Sequence, residues 1–388
     1  MSRPESWKGL RKFLANESLT DVLRLIRSEN VGPVTFFNLV RQFGAAKSAL
    51  DAIPDLARNG GKRAPVLCYT TRDAEWEIEQ TEKLGARMIR FGEEAYPPLL
   101  TQIYDPPPLL IVRGFAHVWQ KRRLLAVVGS RNASANGYQL AKRLAADAGS
   151  REVGIVSGLA RGIDTAAHTG SLASGTVAVM ASGIDHVYPP ENKALYESIC
   201  AQGAVVTEQP FGMAPHARSF PGRNRIISGM SHATLVVEAS LKSGSLITAR
   251  FALEQNRDVL AVPGSPMDPR CKGTNSLIKQ GAVMCESIED IMSSLNSEPP
   301  LFIGEQDSEK FEQATLKAPQ ETELAEARKL VSAKLGYSAV AVDELMTQCN
   351  LPHNLLSLVL LELELAGRLS RQRGGKVALL THQEELIS

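Results

Sequence analysis

Four short runs in this chain each carry a cation, three of them among glycines and serines: Gly129-Ser130-Arg131, Ser157-Gly158-Leu159-Ala160-Arg161-Gly162, Arg223-Asn224-Arg225 and Lys242-Ser243-Gly244-Ser245. Small residues let a backbone come close to a ligand, hydroxyls donate and accept, and each run carries a cation. That chemistry suits phosphate. A glycine-rich turn can aim N–H groups at an anion, a helix start adds its dipole, and a guanidinium adds a forked pair of charged donors. The spacing predicts Arg223 to Arg225 at the start of a helix and Lys242 in a loop ahead of one. Each run alone is a weak signal. Four of them on one sheet edge suit a polyanion lying in a groove better than a mononucleotide in a pocket.

Other groups are weighed against chemistry and set aside. Asp164 and His168 lie one helical turn apart, but an Asp near a helix start reads as a cap or dipole partner and a lone His as structural. Glu238 is read as a buried structural carboxylate, with a sugar-hydroxyl acceptor as the alternative. G-x-G-x-x-G, Walker A, H-E-x-x-H and G-x-S-x-G patterns are absent, which removes NAD, ATPase, metalloprotease and serine-hydrolase readings. The five cysteines are scattered without a C-x-x-C pair, so neither a disulfide framework nor a zinc site is expected, and a reducing cytoplasm fits. No catalytic residue, cofactor or metal is expected. Neither a signal peptide nor a stretch near the roughly 18 apolar residues of a membrane span is seen, so membrane insertion is not expected.

Positioning those loops requires a scaffold. Short apolar runs at Leu124 to Val128, Gly154 to Val156, Thr176 to Met180, Ala204 to Thr207, Ala233 to Val237, Val259 to Val262 and Ala282 to Met284 alternate with helical stretches. They are apolar on both faces, as strands of a helix-covered parallel sheet must be. The fold class is therefore α/β, a doubly wound and mostly parallel sheet whose ligand lies beyond the carboxyl ends of the strands. Leu19 to Leu56 reads as short helices broken at Val31-Gly32-Pro33, a small helical domain of the SAM or helix-hairpin-helix kind. Its hairpin is read as a packing turn rather than a phosphate site. A polar, acidic stretch from Ser297 to Pro319 reads as a linker. The helix, turn, helix and basic hairpin after it give a winged helix. The expected division is 1–83, 84–297, an acidic linker over 298–322, and 323–388.

The motifs, taken in order, closely resemble the DNA-processing protein A (DprA/Smf) family: Gly129-Ser130-Arg131, Ser157 to Asp164, Gly183-Ile184-Asp185 with Tyr188-Pro189, Phe220-Pro221 with Arg223 to Ile227, and Ser243-Gly244-Ser245. The resemblance spans about Leu84 to Met292. It implies an extended Rossmann-like domain without catalysis that binds and protects single-stranded DNA, helps load the RecA recombinase in natural transformation, and acts as a homodimer through that domain. By motif it puts the phosphate-binding arginine on Arg131 and the basic loop residue on Lys242, with Arg161, Arg223, Asn224 and Arg225 at other characteristic positions. Two alternatives from other classes stay open: a phosphoribohydrolase-like nucleotide enzyme, whose P-G-G-x-G-T-x-x-E signature is absent, and a duplex-binding winged-helix regulator.

Net charge alone gives no hint of a nucleic acid, since 43 Lys and Arg face 42 Asp and Glu. The balance is a cancellation between segments. Residues 106–146 contain no acid but hold Arg113, Lys121, Arg122, Arg123, Arg131, Lys142 and Arg143. The same is true of 209–237 with Arg218, Arg223 and Arg225, and of 366–383 with Arg368, Arg371, Arg373 and Lys376. A polarised molecule is expected. With aromatic residues at 5%, base stacking should be sparse and binding mainly electrostatic.

Overall fold

The computed structural model describes residues 7–120, 123–296, 321–372 and 374–380. These fall into two compact units: the described residues up to Glu75 together with those from Glu321 onward, and the stretch from Trp76 to Asn296. The expected acidic linker lies, up to residue 320, outside the described residues, as do Lys121, Arg122 and Arg373.

In the first unit the chain opens with helices α1 (Arg11–Asn16), α2 (Leu19–Arg27), α3 (Pro33–Phe43) and α4 (Ala46–Asn59), followed by α5 (Thr71–Lys83), which runs into the second unit. Ser18 caps α2 by accepting the Asp21 N–H, and Pro33 starts α3, where its missing N–H costs nothing. Helix α3 stops at Gly44, whose φ of 76° suits a left-handed cap. Phe36, Phe37, Leu39 and Ile53 are buried within the bundle.

The second unit is a nine-stranded sheet. Its elements run β1 (Ala86–Arg90), β2 (Leu109–Gly114), β3 (Leu124–Gly129), α6 (Ala135–Ser150), β4 (Gly154–Ser157), α7 (Ile163–Ser171), β5 (Thr176–Val179), α8 (Lys193–Gln202), β6 (Ala204–Thr207), α9 (Ser219–Gly229), β7 (Ala233–Val237), α10 (Gly244–Glu254), β8 (Asp258–Ala261), α11 (Lys272–Lys279), β9 (Val283–Met284) and α12 (Ile288–Asn296). The strand order is β1-β2-β6-β5-β4-β3-β7-β8-β9. All pairs from β6 to β9 are parallel, and β1 and β2 extend the sheet in antiparallel pairing. Strands β4 to β7 are buried along their whole length. From β3 the chain winds outward one way to β6, then crosses back and lays down β7 on the other side of β3. The crevice between the carboxyl ends of β3 and β7 is therefore the switch point where such sheets bind ligands.

The first unit is completed by α13 (Glu321–Lys334), β10 (Val340–Ala341), α14 (Val342–Cys349), α15 (His353–Leu365), β11 (Leu369–Gln372) and β12 (Lys376–Leu379), with sheet order β10-β12-β11. This is the winged helix. Its core gathers Ala327, Val331, Leu345, Leu356, Val359, Leu360, Leu363 and Val377. Among the described residues no helix is long and apolar enough to cross a membrane.

Candidate nucleic-acid interface

The loop after β4 is built from its own backbone inward. Leu159 has a φ of 55°, uncommon for a branched residue, and the turn is held by side chains of α7. Asp164 accepts the N–H groups of Gly158 at 3.2 Å and Ala160 at 3.4 Å, and His168 Nε2 accepts that of Leu159 at 3.3 Å. Three N–H groups that could have cradled a phosphate are thus spent inside the protein. Ser157 is spent too, its hydroxyl donating to the Val127 carbonyl at 2.6 Å. Burial pushes the Asp164 carboxyl up, opposed chiefly by the nearby Arg223 guanidinium. Burial also pushes His168 down to about 3, with Arg223 adding to the effect. A neutral His168 is what an acceptor for the Leu159 N–H requires.

Helix α9 begins at Ser219, a full turn earlier than the sequence reading placed it, and that changes the role of its arginines. Arg223, Asn224 and Arg225 stand inside the helix and are buried. Arg223 donates to the carbonyls of Gly158 and of Val179, the latter at 2.8 Å, and a side chain at Gly158 would collide with its guanidinium. Burial lowers its pKa to about 10, with Asp164 opposing. Arg225 pairs with Glu208 and with Asp105 at 3.3 Å, and donates to the Asp105 carbonyl at 2.7 Å. Burial alone would lower its pKa; Glu208 and Asp105 raise it. Asn224 reaches the Gly244 carbonyl at 3.4 Å. These residues tie loops together from beneath. They do not offer charge to solvent.

The switch-point crevice is occupied by the chain itself. Glu238, at a φ of 53°, turns its carboxylate back to the start of α6, where it accepts the Ser134 N–H at 2.9 Å and the Ser134 hydroxyl at 2.5 Å. Ser134 caps the same helix by accepting the Gly137 N–H at 2.9 Å. A Cβ at residue 137 would stand 2.5 Å from the Glu238 carboxylate, so glycine leaves the carboxylate room to sit at the helix start. In nucleotide-binding sheets of this kind a phosphate occupies that helix start. Here a carboxylate does. The structural reading of Glu238 matches this arrangement, and the sugar-hydroxyl reading loses its acceptor.

Above this floor lies a different set of groups. The loops after β3 and β4 meet: the Ser130 carbonyl accepts the Ile163 N–H at 3.2 Å, and Gly162, at a φ of 76°, passes so close that a Cβ would lie 2.3 Å from the Ser130 oxygen. Gly129 is pressed against the Val237 carbonyl in the same way. Arg131 projects from this junction, exposed, with its guanidinium 4.8 Å from the centre of the Phe220 ring. It forms no ion pair among the described residues. Phe220 in turn lies 6.0 Å from the ring of Tyr188, which is 47% exposed. Arg161 is exposed but is paired with Glu191. Lys242 is exposed and unpaired among the described residues, beside the exposed Leu241. Ser243 and Ser245 bond each other at 2.7 Å and cap α10, so they shape this loop rather than face a ligand. Gly244 leaves open space.

The sequence reading quoted Phe220 and Tyr188 within motifs but assigned them no role. The only trace in the sequence was that both sit beside prolines, in Tyr188-Pro189 and Phe220-Pro221, within the quoted motifs. Among the described residues no group of three or more His, Cys, Asp or Glu could hold a metal ion.

Comparison with known proteins follows this geometry. Residues 87–296 match the family described as DNA recombination-mediator protein A, residues 16–79 a DprA-like N-terminal HHH domain, and residues 315–375 a DprA winged helix domain. The chain is 36% identical over 316 residues to protein Smf of Escherichia coli (strain K12), covering 81% of this chain and 83% of that one. It is 43% identical over 251 residues to DNA processing protein DprA of Bacillus subtilis (strain 168), covering 60% and 84%. The X-ray structure of DNA processing protein A from Streptococcus pneumoniae matches with a TM-score of 0.55 at 30% identity, over 75% of this chain and 98% of that chain. A Helicobacter pylori structure of the same kind of protein, described for its single-stranded DNA binding mode, matches with a TM-score of 0.50 at 26% identity, over 54% and 95%.

Proposed function

Since this chain belongs to the DNA recombination-mediator protein A (DprA/Smf) family, we propose that it binds single-stranded DNA along the carboxyl edge of its large sheet, protects the strand and delivers it to the RecA recombinase in transformation and recombination. The observation that carries this reading is the unpaired Arg131 over Phe220, next to Tyr188 and on an edge whose nucleotide crevice is already filled by Glu238. Phosphates pass along Arg131 and Lys242, while unstacked bases meet Phe220, Tyr188 and Leu241. Single strands need this pairing of cations with flat apolar faces. Arg223, Arg225 and Asn224 hold the edge in shape from below. In this reading the protein acts by binding and not by catalysis.

A homodimer through the same domain belongs to the proposal. Edge strand β9 supports it, since Val283 and Met284 are 45% and 49% exposed at an open sheet edge, a surface suited to a second copy. The strand and RecA place the working site in the cytoplasm.

The test is the affinity for a short oligo-dT across a salt series, beside the same measurement on a duplex. Arg131→Ala and Lys242→Ala should each weaken oligo-dT binding about tenfold, or ~1.4 kcal/mol, and lower the salt slope by ~0.7. Unchanged binding in both variants would sink the groove assignment. RecA delivery is read separately, as faster filament assembly on a strand coated beforehand with single-strand-binding protein.

A further inference from the structure

Helix α15 occupies the place of the groove-reading helix in a winged helix, yet its composition does not fit that task. His-Asn-Leu-Leu-Ser-Leu-Val-Leu-Leu-Glu-Leu-Glu-Leu contains no lysine or arginine, and it is apolar on more than one face. A helix apolar all round is buried on both sides. One face, Leu356, Val359, Leu360 and Leu363, fills the winged-helix core. The other carries Leu355, Leu358, Leu361, Glu362 and Leu365, all buried. That second face packs against α3 and α4 of the N-terminal bundle within the same unit.

The contact is close and polar at its edges. A Cβ at Gly60, just past α4, would lie 2.0 Å from the Glu362 carbonyl oxygen, so backbone meets backbone. The one carboxylate on this face is neutralised: Glu362 receives two bonds from Arg328, at 2.7 and 2.8 Å, and one from Asn59 at 3.4 Å. Arg368, at the base of the wing, donates to the Gly60 carbonyl at 3.0 Å. Asn30, in the turn between α2 and α3, donates to the Leu365 carbonyl at 3.0 Å and lies against Gly367. The hairpin turn of the N-terminal domain therefore meets the carboxyl end of the very helix that would read a duplex. In the wing, Arg371 is paired with Glu364 at 2.9 Å.

We infer that the winged helix is a self-docking module: α15 binds the N-terminal bundle of its own chain, the docking covers the hairpin turn, and neither end of the chain reads duplex DNA. The occupant of the apolar face is the α3–α4 surface. Two elements whose motif types suggest DNA contact are instead each other's partners.

The experiment uses the full chain with a specific protease site placed within residues 300–315, and a wedge variant, Gly60→Leu. Residue 60 has a φ of −69°, so a side chain is tolerated by the backbone but has to drive α15 away. After cleavage the carboxyl-terminal fragment should co-elute with the remainder in equimolar amounts for the unsubstituted chain and separate for Gly60→Leu, with circular dichroism showing both parts folded. Separation of the unsubstituted fragment overturns the proposal. The uncut Gly60→Leu chain should bind a 20-base-pair duplex within about twofold of the unsubstituted chain, because a freed α15 still offers no cation to a phosphate. A gain of about tenfold or more overturns it as well, since α15 would then be a groove reader held in check.

Discussion

Arg225 and Arg131 stand on the same edge of the same sheet, carry the same charge and do opposite things. Arg225 is buried between Glu208 and Asp105, and Arg223 beside it is spent on two carbonyls. Arg131 is exposed, rests on an aromatic ring and has no acid to satisfy it among the described residues. The inner arginines are cohesive and the outer one is available. A basic motif in a sequence is therefore two kinds of object, and the helix start decides which: moving the first residue of α9 back to Ser219 turns Arg223 and Arg225 from a rim into a floor.

The sharpest way to break this contrast is Arg225→Ala. It leaves Glu208 and Asp105 without their cation in a largely desolvated place, a change that costs about 3–5 kcal/mol in such sites. Chemical denaturation should show that loss, while Arg131→Ala shifts the same midpoint by less than about 0.5 kcal/mol. Equal stability in the two variants would falsify the division into floor and rim.

A second separation comes from pH. With His168 pushed down to about 3 in the native protein and near 6.5 when unfolded, the unfolded chain takes up a proton that the folded one refuses between those values. Stability contributed by the neutral ring is complete above pH 6.5 and falls by about 1.4 kcal/mol per unit as pH drops toward 3. His168→Gln should flatten that part of the denaturation-versus-pH curve. Oligo-dT affinity measured where the protein remains folded should stay level over the same range, because His168 is buried in the floor beneath the loops and does not face the strand. A parallel decline in affinity would show that rim and floor are not independent.

The smallest effect concerns the aromatic ledge. Phe220→Ala removes a face for base stacking, worth about 1–3 kcal/mol per base in single-strand sites, and frees the guanidinium from its ring. Oligo-dT should be held more weakly, and an abasic strand of equal length should show little change. If both strands weaken alike, Phe220 serves only to orient Arg131.

Much of the scaffold was legible in the chain. Runs apolar on both faces announced buried parallel strands, and Gly32-Pro33 announced the start of α3, each because a local rule has few exceptions there. The grouping of the two chain ends was not legible, although α15 carried its trace as a helix too apolar for one core. Contacts between residues more than three hundred positions apart leave only that kind of mark. Within the site, the loops were found but the direction of their groups was not. Ser157, Gly158 and Asp164 look like a phosphate cradle in one dimension, and only the fold reveals that the donors face inward. The aromatic partner of Arg131, Phe220, lies 89 positions along the chain, and Tyr188 beside that ring lies 57 positions along, beyond the reach of any spacing rule.

Glu238 has one further consequence. By seating its carboxylate at the start of α6, the protein carries a tethered imitation of a nucleotide's phosphate, at an effective concentration that no dissolved competitor can match. Under the proposed function this edge ignores mononucleotides and answers to chain length, since only a polymer spans several outlying cations at once, and one acidic side chain is what would turn a nucleotide-type fold into a reader of strands.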